Sequence, residues 1–143
     1  MGASLWGCSS AARELLSRAD EATGLPLTRV CFEGPAETLT DTAFAQPGVV
    51  AVSLAAAEAL RERLSKDGVE LVPALCAGHS VGELAALVYS GAVGLADGLG
   101  LVAARGRAMA AASGLVDGSM VAVLGMEEGP LADICARASR ETG

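Results

Sequence analysis

Histidine is almost absent from this 143-residue sequence, His79 being the only one. Metal centres and acid–base sites that need several histidines are therefore excluded from the residues present. Aromatic side chains are nearly as scarce: Trp6, Phe32, Phe44 and Tyr89 are all there are. Since 52% of residues are apolar, the core has to be built from alanine, leucine and valine, and the composition is not that of a disordered chain. The four cysteines, Cys8, Cys31, Cys76 and Cys135, form no C-x-x-C pair and have no histidine at ligand spacing. Neither a metal site nor a disulfide framework is expected, and a reducing cytoplasm is the expected compartment. Bases are outnumbered by acids, 10 to 17, for a net charge of -7, which argues against nucleic acid or an anionic membrane surface as the partner. The Leu5-Trp6-Gly7-Cys8 run has no basic and apolar stretch before it and fails as a lipid-attachment signal. No apolar run is expected to reach the roughly 18 residues that a bilayer span needs, because Glu58, Arg61 and the glycines interrupt each candidate. A soluble chain of about one domain's length is the expectation.

Local signals divide the chain into helices and two short apolar runs. Ser9 and Ser10 suit the N-cap of a helix over 11–22, with Leu15, Leu16 and Ala19 on one face and Gly24 as its stop. Residues 25–44, punctuated by Pro26, Gly34 and Pro35, read as a loop with short helical turns. Pro47 suits the first turn of a long helix over 47–66. The apolar run 71–77 predicts a buried strand, and 119–124 a second one. Helices are predicted over 81–90, 95–112 and 127–140, with a hinge at 114–118. Gly98 and Gly100 weaken the second of these by up to about 1 kcal/mol each relative to alanine. Two strands are too few for four or five helices to cover, so the sheet partners of an α/β fold are expected outside this sequence.

Between the first strand and the next helix lies Gly78-His79-Ser80-Val81-Gly82, a G-x-S-x-G nucleophile elbow in spelling and context. Its glycines relieve a turn so tight that side chains two positions either side of the serine would collide. Ser80 then projects at a helix N-terminus, where the dipole and the free N–H of Val81 can stabilise an oxyanion on an acyl carbonyl. His79 is adjacent in sequence and leaves the turn on the other side, so it is expected to pack and support the elbow, leaving a nucleophile without a histidine base. Arg105 and Arg107 follow on the helix from Leu95. A guanidinium near an acylated serine would fork onto a free carboxylate of the acyl group, although spacing alone allows either arginine to be a solvated one. Gln46 can be a pocket amide or a helix cap, and Glu83 complements the dipole of the elbow helix.

Residues 74–112, ALCAGHSVGELAALVYSGAVGLADGLGLVAARGRAMAAA, resemble the malonyl-CoA:acyl carrier protein transacylases and the related acyltransferase domains of polyketide synthases. The upstream stretch LTRVCFEGPAETLTDTAFAQPGVVAVSLAAAEAL is similar to that family's loop and long helix, and SMVAVLGMEEGPLADICARAS to the start of its small subdomain. The resemblance implies an α/β-hydrolase-like large subdomain over 1–116 and the beginning of a ferredoxin-like subdomain over 117–143. It implies a seryl ester on Ser80, an oxyanion contact from Val81, carboxylate binding by Arg105 with Gln46 beside it, and structural roles for Gly78, His79 and Gly82. Malonyl-CoA would be the donor and the phosphopantetheine thiol of acyl carrier protein the acceptor, in fatty acid or polyketide synthesis, with no further cofactor. Valine after the serine is similar to malonyl-type domains. The family's catalytic histidine and its oxyanion glutamine have no counterparts in this sequence, which therefore reads as roughly half of such an enzyme, inactive alone. Two other functions stay open: a serine hydrolase, and a non-catalytic remnant that binds acyl-CoA or carrier protein. Carrier proteins are acidic, so contact by this acidic chain would need a local basic patch such as Arg61, Arg63 and Lys66.

Overall fold

A computed structural model describes residues 1–115 and 121–142. Along them run eight helices: α1 (Ala3–Cys8), α2 (Ser10–Thr23), α3 (Leu27–Glu33), α4 (Ala36–Thr40), α5 (Thr42–Lys66), α6 (Gly82–Tyr89), α7 (Leu95–Ser113) and α8 (Glu128–Thr142). Ser9 caps α2 as its position suggested, with its Oγ accepting from the N–H of Ala12 at 3.0 Å. Gly24 ends the helix in the left-handed region at φ 66°. The punctuated stretch 25–44 holds the short helices α3 and α4. The core lies where α2, α5 and α7 meet. Ala12, Leu15, Leu16 and Ala19 pack there against Val50, Ala51, Leu54 and Ala55 and against Leu99 and Val102. These are small aliphatic side chains, as the aromatic-poor composition requires. Burying a leucine or valine of this kind is worth about 1.5–3 kcal/mol.

α5 starts earlier than Pro47 predicts. Asp41 is extended and its Oδ1 accepts from the N–H of Ala43 at 2.8 Å; this cap starts the helix at Thr42 and leaves Pro47 inside it. The added residues also correct the expectation about apolar runs, because α5 contains an 18-residue window of mean hydropathy 1.4 and is long and apolar enough to cross a membrane on those grounds. Its buried face is the middle of the core described above. α7 runs unbroken through Gly98 and Gly100, and Gly98 is buried where Val88 comes against it.

The two expected strands are not observed among the described residues. Residues 71–77 take no regular structure, with a bend at Ala74, and no second segment forms a ladder with them. The run crosses α5 and α6 over an open groove of about 380 Å³ lined by Leu54, Pro73, Cys76, Ala85 and Tyr89. Leu75 is 90% exposed. Periodicity detects an apolar segment; pairing with another segment makes it a strand, and a single chain region cannot supply both. Of the second run, 119 and 120 lie outside the described residues, and Val121 to Leu124 are exposed and unpaired. Gly114 and Leu115 form a turn after α7; 116–118, and with them most of the expected hinge and the subdomain boundary, lie outside the described residues. α8 has no buried residue. The suggested basic patch is neutralised: Arg61 pairs with Glu58 at 2.7 Å, Arg63 with Asp67 at 3.2 Å and Lys66 with Glu62 at 3.0 Å.

Candidate active site

The elbow begins where the apolar run 71–77 leads into α6. A Cβ on Gly78 would lie 2.0 Å from both the carbonyl carbon and oxygen of Gly82. No side chain fits there, and this is the collision the motif predicts. Gly82 departs from the expectation, because a Cβ added to it would meet nothing within 4 Å. The crowding is thus one-sided in this chain: the backbone of Gly82 is the obstacle and Gly78 is the residue that must yield.

Ser80 has φ 53°, the one positive φ among described residues other than glycine. Such a backbone costs an L-residue about 1 kcal/mol or more and points its side chain out of the turn. Three local hydrogen bonds hold the turn: Gly82 N–H to His79 O at 2.9 Å, Leu84 N–H to Val81 O at 3.2 Å and Glu83 N–H to Ser80 O at 3.3 Å. Among the described residues no backbone carbonyl accepts from the N–H of Val81. That donor, at the start of α6, remains available to an anion. Glu83 lies in the first turn of α6 as expected.

His79 is exposed, and its imidazole makes no hydrogen bond among the described residues. The packed, supporting histidine anticipated from the sequence is therefore not observed; only its backbone carbonyl holds the turn. It also makes no bond to Ser80, in line with the expectation that it is not the base.

What approaches Ser80 is Arg105. Its guanidinium donates through Nη2 to Ser80 Oγ at 3.2 Å and through Nη1 to Gln46 Oε1. Gln46, 8% exposed, points its amide nitrogen at Met109 Sδ, 3.0 Å away. Four elements converge: the elbow supplies the hydroxyl, the start of α6 the free N–H, α7 the cation, and α5 the amide that orients the cation. Arg107 is exposed on another face of α7. The sequence reading places Met109 on the helix over 95–112 but gives it no role at the site; its spacing of four from Arg105, one helical turn, is the signal that links them. Among the described residues no group of histidine, cysteine, aspartate or glutamate could hold a metal ion.

A serine on a left-handed turn at a helix N-terminus, with an N–H and a cation beside it, has the geometry of a nucleophile elbow built for acyl transfer. The sequence pattern of the acyl transferase domain matches residues 1–135, and the chain belongs to that family. It is 36% identical over 141 residues to the malonyl CoA-acyl carrier protein transacylase of Bacillus subtilis, covering 99% of this chain and 43% of the relative. Its fold resembles the crystal structure of acyl-carrier-protein-S-malonyltransferase from Bartonella henselae, with a TM-score of 0.77 and 33% identity over 99% of this chain and 44% of the other. It also resembles the malonyl-transacylase of a complex described as PlMCAT:AntF, with a type II PKS acyl-carrier protein, at a TM-score of 0.67 and 31% identity over 78% of this chain and 35% of that one. The chain has the acyltransferase fold and spans less than half the length of these relatives.

Proposed function

We propose that this chain carries the nucleophile and the carboxylate-recognising half of an acyltransferase that moves a malonyl group from coenzyme A to the phosphopantetheine thiol of acyl carrier protein. The observation that carries the reading is the contact of Arg105 with Ser80 and Gln46. A guanidinium held beside a nucleophile can fork onto a free carboxylate of the acyl group, and malonyl places one a single methylene from the reacting carbonyl. In this mechanism Ser80 Oγ attacks the thioester carbonyl and gives up its proton, the N–H of Val81 holds the oxyanion, and the coenzyme A thiolate leaves. Arg105 forks onto the free carboxylate, releasing its contact with Ser80. The carrier thiol then attacks the seryl ester and restores the serine. His79 has no part in proton transfer, and the general base is assigned to residues outside this sequence.

The finer architecture follows from the same reading. Residues 71–77 would pair into a parallel sheet of the α/β-hydrolase-like subdomain, 1–116, and residues 117–143 would open the ferredoxin-like one. The exposure of Leu75, and of Val121 and Leu124 at 81% and 91%, supports it, because unpaired apolar segments of this kind need covering. A reducing cytoplasm suits four cysteines that are all free. Carrier contact would not run through Arg61, Arg63 and Lys66, whose charges are already paired.

Incubation of the chain extended to its relatives' full length with malonyl-CoA, followed by peptide mass analysis, is expected to show a malonyl ester on Ser80 and none in Ser80→Ala. Replacing Arg105 with Ala is expected to lower malonyl transfer relative to acetyl transfer by about 10- to 100-fold, the worth of a charge-assisted pair. An unchanged ratio would remove the carboxylate role. The lack of any contact between His79 and Ser80 favours a second reading, a fragment that binds malonyl-CoA without turnover; reversible binding with no adduct would select it.

A further inference from the structure

Arginine is long and flexible, and something has to hold Arg105 at Ser80. The helix opposite it begins weakly. Pro47 stands sixth in α5; it has no N–H for the carbonyl of Ala43, and its ring presses on that carbonyl. The first turn, 42–46, is thus joined to the rest of α5 by one bond fewer, and it is this turn that carries Gln46.

Two contacts tie that turn to α7. Thr42 Oγ1 donates to the carbonyl of Gly106 at 3.0 Å. The backbones themselves also meet there, since a Cβ on Gly106 would lie 2.4 Å from the oxygen of Thr42 and 3.1 Å from Cα of Ala43. One turn further on, Gln46 receives Arg105 and reaches Met109. Residues four apart on α5 therefore engage residues three and four apart on α7, at two levels that bracket the guanidinium. The buried Gly106 is the immediate neighbour of Arg105, so a slip of α7 at this contact moves the arginine directly.

We propose that Thr42 is a positioning residue for Arg105: with Gly106 it clamps the first turn of α5 to α7 and thereby fixes where the guanidinium sits relative to Ser80. Its consequence for substrate choice rests on the acyltransferase reading; its consequence for the position of Arg105 does not. Thr42→Val keeps the shape and removes the donor, Thr42→Ser keeps the donor, and Gly106→Ala forces the two backbones apart.

The Arg105 side-chain N–H resonance in nitrogen-edited NMR reads the clamp without any reaction. It is expected to broaden and move toward the free-arginine position in Thr42→Val and Gly106→Ala, and to return in Thr42→Ser, while far-UV circular dichroism shows all three folded. An unchanged resonance in Thr42→Val would overturn the proposal. In the transfer assay, Thr42→Val is expected to lower the malonyl-to-acetyl ratio on Ser80 about five- to tenfold, the worth of one hydrogen bond acting through orientation, mainly through KM, with Thr42→Ser close to the native protein. A native ratio in Thr42→Val would count equally against it. A full-length protein that forms no ester, with the resonance responding as described, would remove the acyltransferase reading and leave the clamp in place.

Discussion

Ser80 keeps a positive φ without being a glycine because the neighbours leave it no alternative: Gly78 and Gly82 press together behind it, and the turn closes through the carbonyls of His79, Ser80 and Val81. The two glycines of the motif are not equivalent, and this gives a prediction at the residue scale. Gly78→Ala should destabilise the chain by about 1–3 kcal/mol, the range for forced overpacking, and should displace Ser80. Gly82→Ala should be neutral or stabilising by up to about 1 kcal/mol, since alanine is the better helix residue and its Cβ meets nothing. Urea unfolding of both variants would check this, and equal losses would show that Gly82 is crowded too. The spelling G-x-S-x-G was readable and so was its chemistry, but the asymmetry was not, because it depends on where α6 sends the backbone. The two arginines make the same point. Residues two apart on a helix point about 200° away from each other, so the pattern says that one of Arg105 and Arg107 faces away from Ser80, and only the packing of α7 on α5 says which.

At the scale of elements, the chain uses side chains to tie helices that its small core holds loosely. Glu62 on α5 accepts hydrogen bonds from Ser9 Oγ, from the N–H of Ala11 and from Ser10 Oγ at the start of α2, as well as from Lys66 on its own helix. The Ser9 hydroxyl, then the Ala11 N–H, then Lys66 hold its carboxyl down at about 2, against 4.5 for a free glutamate. A carboxyl whose value is depressed on folding stabilises the fold above the unfolded value and loses that contribution as the pH falls through the folded one. Stability is therefore expected to decline between about pH 4.5 and pH 2 in the native chain, and Glu62→Gln should flatten this part of the curve. Urea midpoints at pH 6 and pH 3 would test it; equal pH dependence in both proteins would exclude the clasp. Ser9 as a cap could be read from sequence, while its partner 53 residues away could not. Pro47 misled for a related reason. The rule that places proline in the first turn is local, but Asp41 offers an earlier cap, and a long helix buried along one face tolerates one missing bond in its interior.

At the scale of the whole molecule, burial separates the cysteines. Cys31 is buried, and burial pushes its thiol up, whereas Cys8, Cys76 and Cys135 are exposed. A disulfide reagent at pH 8 should modify three thiols quickly and Cys31 only on unfolding; four equal rates would mean that the core opens readily. The uncovered apolar surface gives a second expectation. Val72 is 73% exposed, and with Leu75, Val121 and Leu124 it forms segments that no part of the described chain covers. The chain alone should bind 8-anilinonaphthalene-1-sulfonate, and Leu75→Ser should reduce the fluorescence measurably. No fluorescence in the native chain would show that these residues are already covered in solution.

The positions of α2, α6, α7 and α8, the aliphatic make-up of the core and the serine in its elbow followed from the order of residues, because each rests on local signals or on composition. The resemblance also singled out Arg105 and Gln46, though not that one holds the other. That they meet at Ser80, that Thr42 and Gly106 bracket them, and that Glu62 clasps a distant helix start were decided only by tertiary packing. These contacts join residues about 25 to 64 positions apart, and no local propensity encodes them. The strands mark the same boundary from the other side. Their apolar runs are written in the sequence, but a strand exists only when a second segment completes its hydrogen bonds, and within the described residues none does.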